Sequence, residues 1–134
     1  RRESCREAAT SAGLDFAEVV RDDDMNRTLA ALRAGPSDPF GAVVYNDVLG
    51  VDLVAAVLAS RLRPGSDVAI VSYDNTSLAS RPEVSLTSID QSPDRLAEAA
   101  VAAVLAPVDT PAVHVTVPAT LVIRASSLRN PPRP

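Results

Sequence analysis

Two short polar groups interrupt apolar runs in this chain: Asn46-Asp47 and Asp74-Asn75. Their side chains suit one kind of chemistry. A carboxylate accepts two hydrogen bonds from neighbouring hydroxyls, and a carboxamide both donates and accepts. Asn46 and Asp74 could therefore hold a small hydroxyl-rich molecule, with Tyr73 either walling the pocket or packing beneath it. Each residue also has a plainer reading. Asn46 or Asp47 can cap a helix, and Asp47 reads as the cap itself. Asp74 can close an Asx-turn, and Gln91 can be a solvated hinge residue.

The elements that must position these groups lie around them. Gly41 to Tyr45 is a short continuous apolar run, the mark of a strand covered on both faces. Val48 to Leu62 has helical length and composition and is stopped by Arg63-Pro64-Gly65-Ser66. Asp67 to Ser72 is a second strand. Parallel strands need a crossover, so this is a βαβ unit. Asn46-Asp47 and Asp74-Asn75 then fall at the carboxyl ends of neighbouring strands, the edge where open α/β sheets bind ligands.

The rest of the chain continues the alternation. Arg1 to Ala12 predicts a helix closed by Gly13, and Leu14 to Val20 a strand. Asp22-Asp23-Asp24 reads as a solvated cap for a helix over Met25 to Ala34, in preference to a metal site. Val84 to Ile89 alternates and predicts a half-buried extended segment. Ser92 and Pro93 form an N-cap and first-turn pair for a helix to Ala106. Val113 to Val117 and Ala119 to Arg124 read as strands broken by Pro118, and 129–134 as a disordered tail. The fold class is α/β with a largely parallel sheet, and 1–128 forms one domain.

Composition narrows the function. All 13 basic residues are Arg, against 17 acidic residues and a net charge of −4. A free-standing nucleic-acid binder needs a concentrated basic face instead. No apolar run is long enough to span a bilayer, and no signal segment is visible. The single cysteine, Cys5, excludes an internal disulfide, fits a reducing compartment and reads as a packing residue. His114 is the only histidine and alternates with Val113 and Val115, which suits a sheet face better than catalysis. No nucleophile–base pair, phosphate loop, metal site or cofactor signature stands out.

Tyr45-Asn46-Asp47-x-x-Gly50, then Arg63-Pro-Gly-Ser-Asp-Val-Ala-Ile-Val-Ser-Tyr-Asp-Asn75, then Ser85-Leu-Thr-Ser-Ile-Asp-Gln91 resembles the effector-binding core of lactose-repressor and galactose-repressor type (LacI/GalR) transcription regulators. The similarity runs from about Arg1 to Ser126. It implies a three-layer sandwich, the C-terminal lobe of a type I periplasmic-binding-protein-like fold. Segment 90–117 would cross to the other lobe, and the 93–106 helix would pack there. With that lobe outside this sequence, the helix face is expected to be covered by a second copy of the chain or by the remaining fragment.

The resemblance also assigns roles. Asn46 and Asp74 match effector contacts, and Gln91 lies close to the cleft. Arg1 matches the family arginine that grips the effector, with Arg2 the runner-up and a solvated terminal charge the plain alternative. Ser4 and Cys5 replace the family's Gly and Phe, Ser72 replaces a Gly, and Pro93 stands where a pocket aromatic is common. The implied function is sensing of a sugar or similar small molecule in the cytoplasm, as a homodimer, without catalysis. DNA would be bound only through an N-terminal helix-turn-helix domain that this sequence does not contain. The alternatives are an enzyme on a doubly wound fold with Asp47 or Asp74 as general base, and an exported solute-binding protein.

Overall fold

A computed structural model describes residues 2–18, 24–34, 40–109, 111 and 113–129. The elements in order are α1 (Arg2–Ser11), α2 (Met25–Arg33), β1 (Phe40–Val43), α3 (Asp47–Ala59), β2 (Val68–Tyr73), β3 (Thr87–Asp90), α4 (Pro93–Leu105) and β4 (Thr120–Val122), followed by a 3-10 turn at Ala125–Ser127. The sheet order is β1-β2-β3-β4. β1, β2 and β3 are parallel, with Phe40 opposite Val68 and Tyr73 opposite Ile89. β4 runs antiparallel to β3, with Asp90 opposite Thr120. The mixed α/β architecture with a parallel-dominated open sheet is the one expected.

The core forms where α2 and α3 meet β1 and β2. Along β2 the burial alternates, so Val68, Ile70 and Ser72 face inward. Leu53, Val54 and Val57 of α3, Leu29 of α2, and Leu86 and Ala79 close the cluster. Gly50 lets α3 sit low on the sheet: a Cβ there would lie 2.6 Å from Leu86 Cδ2 and 3.2 Å from Ser72 Cβ. Gly65 turns the chain into β2 at φ +83°, a conformation that favours glycine. A Cβ on Gly65 would also strike the carbonyl oxygens of Leu128 and Ala125, so the turn before β2 and the 3-10 turn are mutually fitted.

α1 and α4 contrast with this block, because neither buries a single residue. α1 is tied through its own return segment. Arg2 pairs with Glu18 at 3.2 Å, and the Arg6 guanidinium lies 5.4 Å from the centre of the Phe16 ring.

Several expectations are corrected. Residues 14–18, the described part of the strand read over Leu14 to Val20, form no strand. Residues 113–117 also form none; only Thr120–Val122 pairs with β3. Both stretches have strand composition, but a strand exists only through a partner, and neither has one among the described residues. Val84 to Ile89 does not alternate: Leu86, Thr87 and Ser88 are all buried. β3 is covered on both faces, and its hydroxyls bond internally. The arginine at position 1, Asp22-Asp23, Gly35-Pro36 and 130–134 lie outside the described residues.

Candidate ligand-binding site

The loop after β2 has a tightly anchored backbone. Asp74 and Asn75 have φ values of +99° and +47°, consecutive positive angles in non-glycine residues. Such conformations cost ~1–3 kcal/mol each and persist where the surroundings over-determine them. Here three successive amides are anchored. Asp74 N donates to Ile89 O at 2.9 Å, Asn75 N to Ser88 Oγ at 2.9 Å, and Thr76 N to Asp47 Oδ2 at 2.6 Å.

Asp47 is the hub of this arrangement. It is 1% exposed. Its Oδ1 accepts from the hydroxyls of Ser72 and of Ser88, the latter at 2.7 Å. Its Oδ2 accepts from both the amide and the hydroxyl of Thr76, the latter at 2.9 Å. One carboxylate therefore joins α3, β2, β3 and the following loop. Burial acts to raise its pKa, yet the donors from Ser72, Ser88 and Thr76 together outweigh burial, and the carboxyl titrates below its ordinary value.

The expected cap assignment is thereby reversed. Asn46, not Asp47, caps α3, with its Oδ1 accepting from Leu49 N at 3.0 Å. Asn46 is half-buried at the end of β1, and capping leaves its Nδ2 as a donor. Asp74 is half-buried at the end of β2, and its Oδ1 accepts from Gln91 Nε2 at 2.7 Å. Asn46 and Asp74 thus stand at the same edge of adjacent parallel strands, joined beneath by the Asp47 network. Tyr73, the last residue of β2, is half-buried. Asn46, Tyr73, Asp74 and Gln91 are brought to this edge; the arginine at position 1 lies outside the described residues.

A second network stands beside the first. Asn75 Nδ2 donates to Asp90 Oδ2 at 2.9 Å, and Asp90 Oδ1 accepts from Ser92 N at 2.7 Å. These bonds, Asn75 first and then Ser92, hold the Asp90 carboxyl below its ordinary pKa against the opposing effect of burial. Arg124 donates from Nη2 to Asn75 Oδ1 at 2.7 Å and from Nη1 to Leu86 O at 2.8 Å. Ser92 occupies the position before α4 but makes no side-chain cap; it is left-handed, at φ +54°. The expected positions hold, Ser92 before the helix and Pro93 at its first residue, but the Ser92 side chain does not cap; Asp90 holds Ser92 through its backbone amide.

Sequence reasoning passed over Asp47 as the hub and Asn75, Asp90 and Arg124 as its neighbours. One signal was available. Ser72, Thr87 and Ser88 are small hydroxyls in buried strands, and buried hydroxyls need partners. His114 is exposed, and Cys5 is half-buried on α1. Asp24 caps α2, accepting from Asn26 N at 2.9 Å.

Residues 1–127 match the periplasmic binding protein-like domain family. Over 107 residues the chain is 34% identical to the ribose operon repressor of Escherichia coli strain K12, covering 75% of this chain and 32% of that repressor. It thus spans about a third of the length of the curated relatives it matches. Among solved structures, the transcriptional regulator CelR–cellobiose complex is 29% identical with a TM-score of 0.69, over 90% of this chain and 40% of CelR. The lac repressor dimer bound to operator and the anti-inducer ONPF is 25% identical with a TM-score of 0.75, over 92% of this chain and 39% of the repressor.

Proposed function

The chain belongs to the periplasmic binding protein-like domain family, and on that premise we propose that it is the effector-sensing part of a LacI/GalR-type transcription regulator. The effector is a sugar or a similar hydroxyl-rich small molecule. The observation that carries this reading is that Asn46 and Asp74 follow adjacent parallel strands at the same sheet edge, where the buried Asp47 carboxylate ties α3 to Ser72, Thr76 and Ser88. Asn46 Nδ2 offers a donor and Asp74 an acceptor, the complement of a sugar's hydroxyls. Tyr73 and Gln91 flank them, and Arg1 is assigned to the same site by its pattern in the sequence. The names of the relatives support the class: one is a ribose operon repressor, and one was solved with cellobiose.

In this reading the rim is one jaw of a clamp. The other jaw is reached through the segment after β3, and a bound effector favours one relative orientation of the two. The shift it produces is limited by the effector's differential affinity for the two orientations. DNA contact belongs to a separate domain, the working assembly is a homodimer, and the setting is the cytoplasm. No described helix is long and apolar enough to cross a membrane.

Calorimetric titration of the 134-residue chain with D-ribose, cellobiose and other sugars tests the reading. Weak saturable binding to at least one sugar, lost in Asp74→Ala, is expected. Binding that survives both Asp74→Ala and Asn46→Ala, or turnover of the sugar, would overturn it. The chain alone should show no sequence-selective DNA binding in a gel-shift assay.

A further inference from the structure

Gln91 leaves β3 at the point where the chain turns toward α4. Its amide donates to Asp74 Oδ1 at 2.7 Å, while Asp90, one residue earlier, accepts from Asn75 at 2.9 Å. Two consecutive residues of the segment after β3 therefore bond to two consecutive residues of the loop after β2. The backbone on the Asp74 side is already pinned by its three anchored amides, so what remains free there is the carboxylate rotor. Gln91 removes that freedom. Its bond is an amide donating to a carboxylate, stronger than a bond between neutral groups.

We propose that Gln91 is a positioning residue, holding the Asp74 carboxylate in one orientation and coupling it to the hinge that launches α4. This rests on the reading of Asp74 as a ligand contact. With one lone-pair position on Oδ1 taken by Gln91, Asp74 presents Oδ2 to the ligand, pre-set before binding; among the described residues Oδ2 has no partner. A ligand hydroxyl that draws on Asp74 also pulls on Gln91, and through it on residues 90–92. Occupancy of the rim is thereby felt at the hinge.

Two substitutions separate this role from packing. Gln91→Met keeps the length and removes the donor; Gln91→Lys keeps a donor able to reach Asp74. With D-ribose as the probe, Gln91→Met should weaken binding roughly tenfold, while Gln91→Lys stays within about threefold. Backbone amide exchange at 90–92 should rise roughly tenfold in Gln91→Met, an effect that vanishes in an Asp74→Ala background because the pair acts as a unit. Equal behaviour of the Met and Lys variants, or a hinge effect that persists without Asp74, overturns the proposal. If D-ribose shifts no resonance of Asn46 or Asp74, the sugar reading fails for that probe, and the exchange measurement still decides the role of Gln91 by the same criterion.

Discussion

The block from β1 to β3 and the arm from α4 to residue 119 are built from similar residues and meet opposite fates. α3 and α4 each have 13 residues, rich in Ala, Val and Leu. α3 buries six of its residues; α4 buries none. Leu96, Val101, Val104 and Leu105 of α4 and Val108, Val113 and Val115 beyond it are all exposed, Val104 at 83%. The difference lies in what the neighbouring chain supplies. α3 has a strand on either side in sequence, and the crossover rule folds it back on them. Among the described residues between α4 and β4 none is in a strand or helix, and no residue of α4 is buried. Helical sequence alone makes a helix, but only a facing surface makes it part of a core.

Mutations can break this contrast. The largest effect should come from Asp47→Ala. It strips acceptors from Ser72, Ser88 and Thr76 at once, and buried donors left unpaired should cost about 3–4 kcal/mol, read as a lower midpoint in urea unfolding. Gly65→Ala comes next, at about 2–3 kcal/mol, because its Cβ meets backbone carbonyls of 125 and 128 at a positive φ. An arm substitution should behave differently. Val104→Glu should change the urea midpoint by less than about 0.5 kcal/mol, since the side chain is already in water. A loss of 2 kcal/mol or more there would mean that the arm packs on something in solution.

Acid gives the smallest and most specific effect. Arg63 grips Asp67 through Nε and Nη2 at 2.9 and 2.6 Å, and donates from its backbone amide as well. These bonds, the side-chain ones foremost, bring the Asp67 pKa from 3.8 down to about 2. A depressed carboxyl pKa contributes stability that is present above the unfolded value and lost as pH falls through the folded one. The melting temperature should therefore drop between pH 3.8 and about 2, with Asp47 and Asp90 adding in the same direction. Asp67→Asn should flatten part of that drop. An unchanged acid limb would show that the exposed Arg63–Asp67 pair contributes nothing measurable.

The same contrast explains what could be read from the sequence. The βαβ unit was legible because its signals are local: an apolar run, a polar break, a helix-length stretch and a Pro-Gly stop. The sheet edge carrying Asn46 and Asp74 followed from that. The exchange of roles between Asn46 and Asp47 was not legible, because both side chains cap equally well; three hydroxyls distant in sequence, Ser72, Thr76 and Ser88, make the choice. Composition predicts strands over 14–20 and 113–117, but pairing is a long-range property that composition does not carry. The left-handed turns at Asp74 and Asn75 were hidden for the same reason: their anchors, Ile89 and Ser88, lie on another element.

The central claim is that Asn46 and Asp74 form one face for a hydroxyl-rich ligand. The most direct measurement is a residue-resolved NMR titration of the ¹⁵N-labelled chain with D-ribose and cellobiose. The account predicts saturable shifts confined to residues 45–49, 73–76 and 89–92 for at least one sugar, abolished in Asp74→Ala. Saturable shifts clustered at the opposite end of the strands, around 40 and 65–68, would contradict it.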